Sequence, residues 1–217
     1  MQQLDGGWAR AWIRECARVI AEQRVALMEL DRAIGDGDHG ENLDRGFSAA
    51  AARLAEFPAD SPGEVLRLTA ATLMSTVGGA AGPLYGTAFL RAARTAGDDD
   101  LDPGRLAAML QAAVEGITTR GRARAGDKTM VDAWAPAAQA ARRAAGEGTV
   151  QEVLQAAATA AAEGARATEP WVARKGRASY LGERARGHRD PGAQSSALLL
   201  QAAVSAVHQV TVSEQES

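Results

Sequence analysis

The chain is poor in aromatic residues, which make up 4% of its 217 residues, and it has a single cysteine, Cys16. One thiol excludes an intrachain disulfide, and its place on a periodic apolar face predicts a buried, inert group rather than a nucleophile. Apolar residues still reach 46%, with alanine prominent among them. Small side chains with few rings suit closely packed helices better than a sheet sandwich. The composition therefore predicts an all-α protein with one sizeable core.

A strong charge of one sign is also missing, because 24 basic residues stand against 27 acidic ones and the formal net charge is −3. We therefore predict no polybasic surface for nucleic acid or for an anionic membrane. No run approaches the ~20 apolar residues that span a bilayer, and no secretory apolar region follows Met1. These absences predict a cytoplasmic protein without nucleic-acid or membrane partners.

Apolar residues recur at spacings of three and four along nearly the whole chain, and clusters of Gly, Pro and Asp interrupt them. The pattern predicts one domain, 1–217, of eight helices without a convincing strand, repeat or linker. We expect the first and second helices at about 7–30 and 41–57, the third between Ser61 and Gly78, and the fourth around Leu84 to Leu90. The fifth, seventh and eighth are expected at about 103–120, 149–168 and 190–212. The sixth should begin around Asp127, and Pro136 should kink it. Short connections predict antiparallel neighbours, so the loops 31–40, 78–83, 121–128 and 171–189 can meet at one end.

The stretch LDRAIGDGDHGENLDRGF, residues 30–47, sets Asp31, Asp36 and Asp38 among three glycines. Three such acids repel one another, and burying even part of the set requires a compensating cation. Hard oxygen ligands in this number suit Mg²⁺, which completes its coordination shell with water and substrate phosphate. We expect Asp31 at the end of the first helix and the other two in the following turn, where glycine permits a reversal. The pattern predicts a magnesium and phosphate site beside His39, at the N-terminus of the second helix.

Three known phosphate or cation motifs fit the sequence incompletely. The glycines of 35–40 match G-x-G-x-x-G, but a helix precedes them instead of a strand. An EF-hand loop beginning at Asp36 would have Gly40 at its fifth position and Phe47 in place of the bidentate glutamate. The segment 121–129 approaches P-loop spacing, but an aspartate precedes its lysine and no strand leads into it.

Helix capping is the simplest alternative for the acidic turn. Asp36 and Asp38 could merely cap the second helix, since aspartate also tolerates unusual turn dihedrals. Taken singly, each aspartate is better explained by capping than by a metal. Taken as a set of three with Asp31, they favour the metal, because capping does not explain such mutual repulsion.

Two further glycine-rich segments could complete a phosphate site. VGGAAGPLYGT, residues 77–87, allows close approach to its backbone, although a plain helix–helix turn explains it equally well. ARKGRASYLGERARGHRDPG, residues 173–192, supplies cations that form either a solvated face or a structured loop around an anion. His39 and His188 are candidate acid–base groups or phosphorylation sites, but histidines that only hydrogen-bond their own loop are commoner.

Four phrases occur in one order over nearly the whole chain: the acidic glycine turn, GGAAGPLYGT, GDKTMVDAWAP and ARKGRASYLGERARGHRDPGAQSS. Together they closely resemble the L, or nucleotide-binding, subunit of bacterial dihydroxyacetone kinases, a family also found as the second domain of one-chain ATP-dependent kinases. The resemblance implies an eight-helix antiparallel up-and-down barrel with the nucleotide held at one end.

The resemblance also implies the site residues. Asp31, Asp36 and Asp38 would hold two Mg²⁺ ions that bridge the nucleotide phosphates, and with Arg177 they form the implied catalytic set. The implied contacts of ADP or ATP are His39, Gly40, Glu41, Asn42, Gly79, Ala80, Ala81, Gly121, Met130, Arg177, Asp190 and Gly192. Met130 would pack on the adenine. One position departs from the family pattern GGASGP, because Ala81 replaces the serine and removes a hydroxyl contact to phosphate.

The implied function is phosphotransfer. In the stand-alone form of the family, tightly held ADP is phosphorylated in place by a phosphohistidine carrier, the M subunit, at the expense of phosphoenolpyruvate. The phosphoryl group then passes to dihydroxyacetone on a separate K subunit. Three alternatives stay open: a two-subunit ATP-dependent kinase of another short ketose, an ADP-sensing module that contacts a transcription regulator, and a scaffold without a ligand. The oligomeric state, including a homodimer, also stays open.

Overall fold

The computed structural model describes residues 3–215, with side chains through 209. Within this range the chain forms eight α-helices and one 3₁₀ segment, with an isolated bridge between Leu4 and Leu101 and no strand. The α-helices are α1 Gly6–Ile34, α2 His39–Glu56, α3 Pro62–Thr76, α4 Ala81–Ala96, α5 Pro103–Gly121, α6 Val131–Ala144, α7 Val150–Ala167 and α8 Pro191–Gln215. The 3₁₀ segment, Arg177–Ala185, lies between α7 and α8. The all-α prediction with eight main helices is confirmed.

The helices form a closed ring. Each packs against its neighbour in the chain, from α1 on α2 through to α7 on α8, and α8 packs against α1. Short connections make successive helices antiparallel, so α2, α4, α6 and α8 all begin at the same end. No helix in the described residues is both long and apolar enough to cross a bilayer.

The few aromatic side chains are concentrated in the core. Rings of Trp8, Trp12, Phe89, Phe47 and Tyr85 form a continuous series in which neighbouring centroids lie 5.3 to 6.5 Å apart. The two indole nitrogens donate to main-chain oxygens of α8 at 3.2 and 2.8 Å. These contacts connect α1, α2, α4 and α8, and they thereby fix the positions of the ends of these helices.

The cysteine prediction is confirmed by its position. Cys16 is fully buried in this core among apolar side chains. Burial raises the pKa of its thiol, with a smaller contribution from the neighbouring Glu15 charge. A thiol in this environment is protonated and unreactive.

Two helix boundaries differ from the prediction. The first helix continues through Ile34, which places Asp31 inside its last turn rather than at its end. The sixth begins at Val131 instead of around Asp127, because Gly126 and Lys128 adopt positive φ angles of 90° and 63° that interrupt a helix. Pro136 lies inside α6, and the kink expected there stays a prediction.

The N-termini of the helices differ between the two ends of the ring. At one end, α1, α3, α5 and α7 are each capped by a side chain, from Asp5, Ser61, Asp102 and Thr149. At the other end, the N-cap residues of α2, α4 and α6 make no capping side-chain bond, whereas Asp190 caps α8. First-turn N–H groups lack partners within their helix and attract anions, so the second end offers donors to a ligand.

Candidate functional site

A cleft of about 500 Å³ opens at the end of the ring where α2, α4 and α6 begin. Its walls come from the α1–α2, α3–α4 and α5–α6 connections and from the segment that joins α7 to α8. These are the four loops that the helix pattern predicted to lie together, so that prediction is confirmed.

The cleft brings together most of the predicted site residues. The following line it: Asp31, Asp36, Asp38, His39, Asn42, Gly79, Ala80, Ala81, Gly121, Met130, Arg177, Asp190 and Gly192. Gly40 and Glu41 do not. Gly40 packs on α1, where an added Cβ would lie 2.1 Å from the main-chain oxygen of Arg24, and Glu41 is exposed elsewhere. Gly40 therefore serves helix packing, and its nucleotide contact stays a prediction without support from the cleft geometry.

The three aspartates form one cluster. Each offers a carboxylate oxygen, and the three oxygens lie within 4.8 Å of one another. Asp31 is buried, whereas Asp36 and Asp38 are exposed. Gly35 is required beside them, because a Cβ there would lie 2.1 Å from a carboxylate oxygen of Asp31.

Capping of α2 is performed by Asp31 rather than by the turn residues. Its Oδ2 accepts from the main-chain N–H groups of Asp38 at 2.9 Å and His39 at 3.1 Å. Asp38 is the N-cap residue by position, yet its side chain makes no capping bond. The simple capping alternative therefore fails for Asp38, and its carboxylate is available at the cleft.

The donor set fits a hard divalent cation. All three donors are carboxylate oxygens, which Mg²⁺ prefers, and the bonds from the N–H groups of Asp38 and His39 to Asp31 help to hold the turn that brings them together. Among the described residues one cation pairs with the cluster: Arg177 Nη2 lies 2.9 Å from Asp36 Oδ2. One guanidinium offsets a third of the charge of the cluster, so a metal ion would remove a repulsion that the protein itself leaves in place.

The α3–α4 connection exposes its backbone to the cleft. Gly79 has a φ of 64° and open space where a Cβ would lie, and Ala80, the N-cap residue of α4, makes no capping side-chain bond. Gly82 is confined, because a Cβ there would lie 2.2 Å from the main-chain oxygen of Val77. The first-turn N–H groups of α4 thus face an accessible surface that suits phosphate.

A buried hydrogen-bond network holds His39. Its Nε2 lies 2.9 Å from Ser195 Oγ, which lies 2.6 Å from the hydroxyl of Tyr85, and that hydroxyl lies 2.9 Å from Ser196 Oγ. Burial lowers the pKa of His39, although Asp31 and Asp38 act in the opposite direction. A neutral imidazole at pH 7 can hydrogen-bond a phosphate but contributes no positive charge. The sequence analysis missed Tyr85, Ser195 and Ser196, although all three lie inside the quoted phrases.

The remaining wall of the cleft is apolar. Met130 is nearly buried, and Leu84, Ile117 and Val131 line the cleft with it. Flat apolar ligands such as a base are held by such surfaces, with a few polar groups fixing orientation.

The basic side chains of residues 173–192 lie partly in the cleft and partly in solvent. Of its cations, Lys175 and Arg177 line the cleft. Arg186 instead pairs with Glu183 at 2.5 Å and donates to the main-chain oxygen of Pro170 at 3.0 Å. His188 is exposed and lines a different cleft, so the structure does not place it with His39.

Among the acids that line the cleft, Asp190 has the pKa that is shifted furthest from its ordinary value. Burial raises its pKa to about 7, while the N–H of Ala193, which donates to Oδ2 at 2.7 Å, and the charge of Lys128 lower it. The nearby charges of Asp132 and Asp31 raise it further. Asp190 is the N-cap of α8, so one carboxyl both orders that helix and titrates near neutrality.

We expect Asp190→Asn to stabilise the metal-free and nucleotide-free chain increasingly as pH rises. The folded chain retains a proton that the unfolded chain releases, so burial of Asp190 costs stability progressively between about pH 4 and pH 7. The amide keeps the capping oxygen but does not ionise. After allowance for partial exposure, the melting-temperature advantage of the variant should grow by about 3–6 °C between pH 5 and pH 8. Asp102→Asn, at the exposed cap of α5, is the control, and equal pH profiles for both variants would contradict the assignment.

Sequence comparison identifies the family. The DAK2 domain family matches residues 33–205 of the chain. The chain belongs to this family. The DAK2 match begins two residues after Asp31 and covers Asp36 and Asp38 of the acidic turn, the α3–α4 connection and the segment before α8, which all line the cleft.

Curated relatives of this DAK2 domain include stand-alone kinase subunits. It is 43% identical over 91% of its length to the ADP-binding subunit DhaL of PEP-dependent dihydroxyacetone kinase 1 from Listeria innocua, of which it covers 95%. It is 42% identical over 88% of its length to the corresponding Escherichia coli subunit, of which it covers 91%. L-erythrulose 1-kinase of Mycolicibacterium smegmatis is 34% identical over 87% of this chain, which covers 35% of that protein.

Solved structures show the same fold. The dihydroxyacetone kinase of C. freundii superposes on 95% of the chain with a TM-score of 0.71 at 23% identity, and 35% of that kinase is covered. A second structure of that enzyme, in complex with AMP-PNP and Mg²⁺, gives a TM-score of 0.69. At this identity the likeness supports the architecture of the DAK2 domain, and the site stands on its own geometry.

Proposed function

We propose that this chain is the nucleotide-carrying subunit of a phosphoenolpyruvate-dependent dihydroxyacetone kinase. It would hold ADP and two Mg²⁺ ions in the cleft, receive a phosphoryl group from a phosphohistidine carrier, and pass it to dihydroxyacetone on a separate K subunit in the cytoplasm. The observation that carries the proposal is the convergence of three carboxylate oxygens within 4.8 Å, in the same cleft as the N-terminus of α4, which lacks a side-chain cap.

The acid cluster supplies the metal ligands. Asp31, Asp36 and Asp38 would hold Mg²⁺, which when bound neutralises phosphate charge and orients the transferred group. Asp31 is fixed by two main-chain N–H groups at the start of α2, so its orientation does not depend on the ligand. The other two carboxylates lie on the glycine-containing turn and can adjust to it.

Main-chain groups would hold the phosphates. The first turn of α4 directs N–H groups towards the cleft, Gly79 leaves the backbone accessible, and the positive dipole ends of α2 and α4 both lie at the cleft. Ala81 contributes a methyl group where the family pattern has a hydroxyl, so amides would carry this contact alone. His39, held by Ser195, and Asn42 would add neutral hydrogen-bonding groups.

The apolar wall would hold the base. Met130, Leu84 and Ile117 offer a surface for adenine, while Gly121, Asp190 and Gly192 border it. Burial of a planar ring against such side chains releases water and holds the nucleotide in place. ADP would therefore be retained between reaction cycles as a cofactor.

Arg177 would act on the transferred group. Its side chain is 67% exposed and reaches the metal end of the cleft, where it lies 2.9 Å from Asp36. A guanidinium at this place offsets charge that builds up on a phosphoryl group during transfer. Such transfer needs positioning and charge neutralisation, and no protein nucleophile is required.

Reconstitution tests this function. The chain replaces the ADP-binding subunit among the other subunits of the Escherichia coli kinase, and dihydroxyacetone phosphate is measured with phosphoenolpyruvate or with ATP as donor. We expect one ADP per purified chain and turnover with phosphoenolpyruvate plus carrier proteins. Turnover from ATP alone would instead support an ATP-dependent two-subunit kinase, the second candidate, and the similarity to L-erythrulose 1-kinase favours another short ketose as its substrate. Purified chain without adenine nucleotide, and without affinity for it, would refute both.

A further inference from the structure

Lys128 is a buried cation that lines the same cleft, and the function above assigns it no role. Its residue is 1% exposed, and its ammonium donates to three main-chain oxygens: Ala185 at 2.7 Å, Trp171 at 3.0 Å and Glu169 at 3.4 Å. An ammonium carries three N–H donors, so each donor has one carbonyl acceptor. Side-chain carboxylates make no ion pair with it among the described residues.

The three carbonyls belong to the two ends of one loop. Glu169 and Trp171 begin the segment between α7 and α8, and Ala185 ends its 3₁₀ part. The Gly187 N–H also donates to the oxygen of Glu169 at 2.9 Å, which closes the base of this loop. The ammonium of Lys128 therefore lies where the loop leaves and rejoins the helices, and Arg177 lies between those points.

The turn that contains Lys128, residues 126–129, makes a second contact with the loop. The N–H of Arg174 donates to the main-chain oxygen of Asp127 at 2.9 Å. The turn itself is held by Asp132, whose carboxylate accepts from the N–H groups of Gly126 at 2.5 Å and Thr129 at 2.8 Å. Lys128 adopts a φ of 63°, which is uncommon for a residue with a long side chain. A rigid, unusual backbone thus presents the ammonium to the loop.

The choice of lysine is specific at this position. The chain has 22 arginines and two lysines, so arginine is its general basic residue. A guanidinium spreads its donors over a flat fork, whereas an ammonium directs three donors from one nitrogen. The three carbonyl oxygens surround one point, which matches the geometry of an ammonium.

We propose that Lys128 is a positioning residue that fixes the 169–186 loop and thereby holds Arg177 against Asp36 at the metal end of the cleft. It acts through Arg177 and does not contact the transferred group. The catalytic part of this inference rests on the proposed function, while the structural part concerns the free chain alone.

Hydrogen exchange on the nucleotide-free chain tests the structural part. Lys128→Met removes all three donors, so amide exchange at Arg174 and Gly187 should accelerate by about tenfold or more, with the amides in the middle of the helices unchanged. Arg184→Met, which removes an exposed cation from the same loop, is the matched control and should leave exchange as in the parent. Unchanged protection of the loop in Lys128→Met would overturn the proposal, whatever the reaction proves to be.

A double-mutant cycle tests the catalytic part. Lys128→Met should lower kcat by about 10- to 100-fold, because misplacement of Arg177 by about an ångström has that effect, while ADP affinity changes less than about threefold. In an Arg177→Ala background the same substitution should lower kcat no further. If the effects of Lys128→Met and Arg177→Ala on kcat multiplied, or if Lys128→Met mainly lowered ADP affinity, Lys128 would contact the nucleotide directly. Either result would overturn the positioning role.

A milder variant covers the case in which Lys128→Met does not fold. Lys128→Arg keeps the charge, but its planar fork cannot place three donors at one point. We expect the same loop-specific acceleration of exchange and the same absence of additivity with Arg177→Ala. Parent-like exchange and kcat in Lys128→Arg would show that charge alone suffices and would contradict the geometric argument.

Discussion

Asp38→Asn lowers the affinity of the chain for magnesium–ADP by about 100-fold or more, since even partners that only orient metal ligands contribute 10- to 100-fold. Asp38 is the informative member of the cluster because its carboxylate does not cap α2. Asp31 would be a poorer choice, since its substitution also removes two hydrogen bonds from the helix N-terminus. The amide is isosteric with the carboxylate, so the change tests charge and ligand strength rather than shape.

The same variant should have the opposite effect on the metal-free chain. Removal of one of three mutually repelling charges relieves the cluster, so the melting temperature in EDTA should be equal to that of the parent or higher. Asp44→Asn is the matched control: it lies six residues further along, on α2, pairs with Arg24 at 3.9 Å, and is outside the cleft. Parent-like magnesium–ADP affinity in Asp38→Asn, measured by calorimetry, would remove the metal assignment.

Arg177→Ala is expected to lower kcat for phosphoryl transfer by about 10³-fold, at the lower end of the range for an arginine that stabilises a transferred phosphoryl group. ADP retention should change by less than about tenfold, because the side chain is largely exposed and the nucleotide would be held mainly by main-chain groups and the apolar wall. Removing the guanidinium also frees Asp36 for the metal, so magnesium affinity should not fall.

The control for this prediction is Arg184→Ala, which removes an exposed arginine of the same loop that does not line the cleft. Single-turnover transfer from ATP held by the chain to dihydroxyacetone on the K subunit separates chemistry from nucleotide binding. If Arg177→Ala lost nucleotide and kept its single-turnover rate, Arg177 would be a binding residue and its proposed catalytic role would be wrong.

Most of the fold follows from local patterns. Helical periodicity and the turn residues locate all eight main helices, and short connections bring the correct loops to one end. The two boundary errors have different causes, one long-range and one local. Ile34 extends α1 because it packs against Ala173, Ala178 and Ala185 of a loop about 140 residues away. The late start of α6 depends on the turn that Asp132 stabilises.

The site was predictable where its residues are contiguous. The acidic turn shows its three carboxylates within eight residues, so their shared role is visible in the sequence. The network of His39, Tyr85 and Ser195 joins residues up to 156 positions apart, and no spacing rule connects them. Lys128 lies in the incomplete P-loop and in the phrase GDKTMVDAWAP, but no pattern indicated a positioning role, because its partners are main-chain oxygens, which any residue type can supply. Gly40 was assigned to the nucleotide although its small size serves the contact with α1.

Calorimetric titration of ADP into nucleotide-free chain, with magnesium and then with EDTA, tests the central claim most directly. The claim is that carboxylates repelling one another at the mouth of the cleft are there to bind a divalent ion that in turn binds the nucleotide phosphates. We predict tight binding of ADP in magnesium and a loss of at least about 100-fold in EDTA. Equal affinity in both buffers would contradict it.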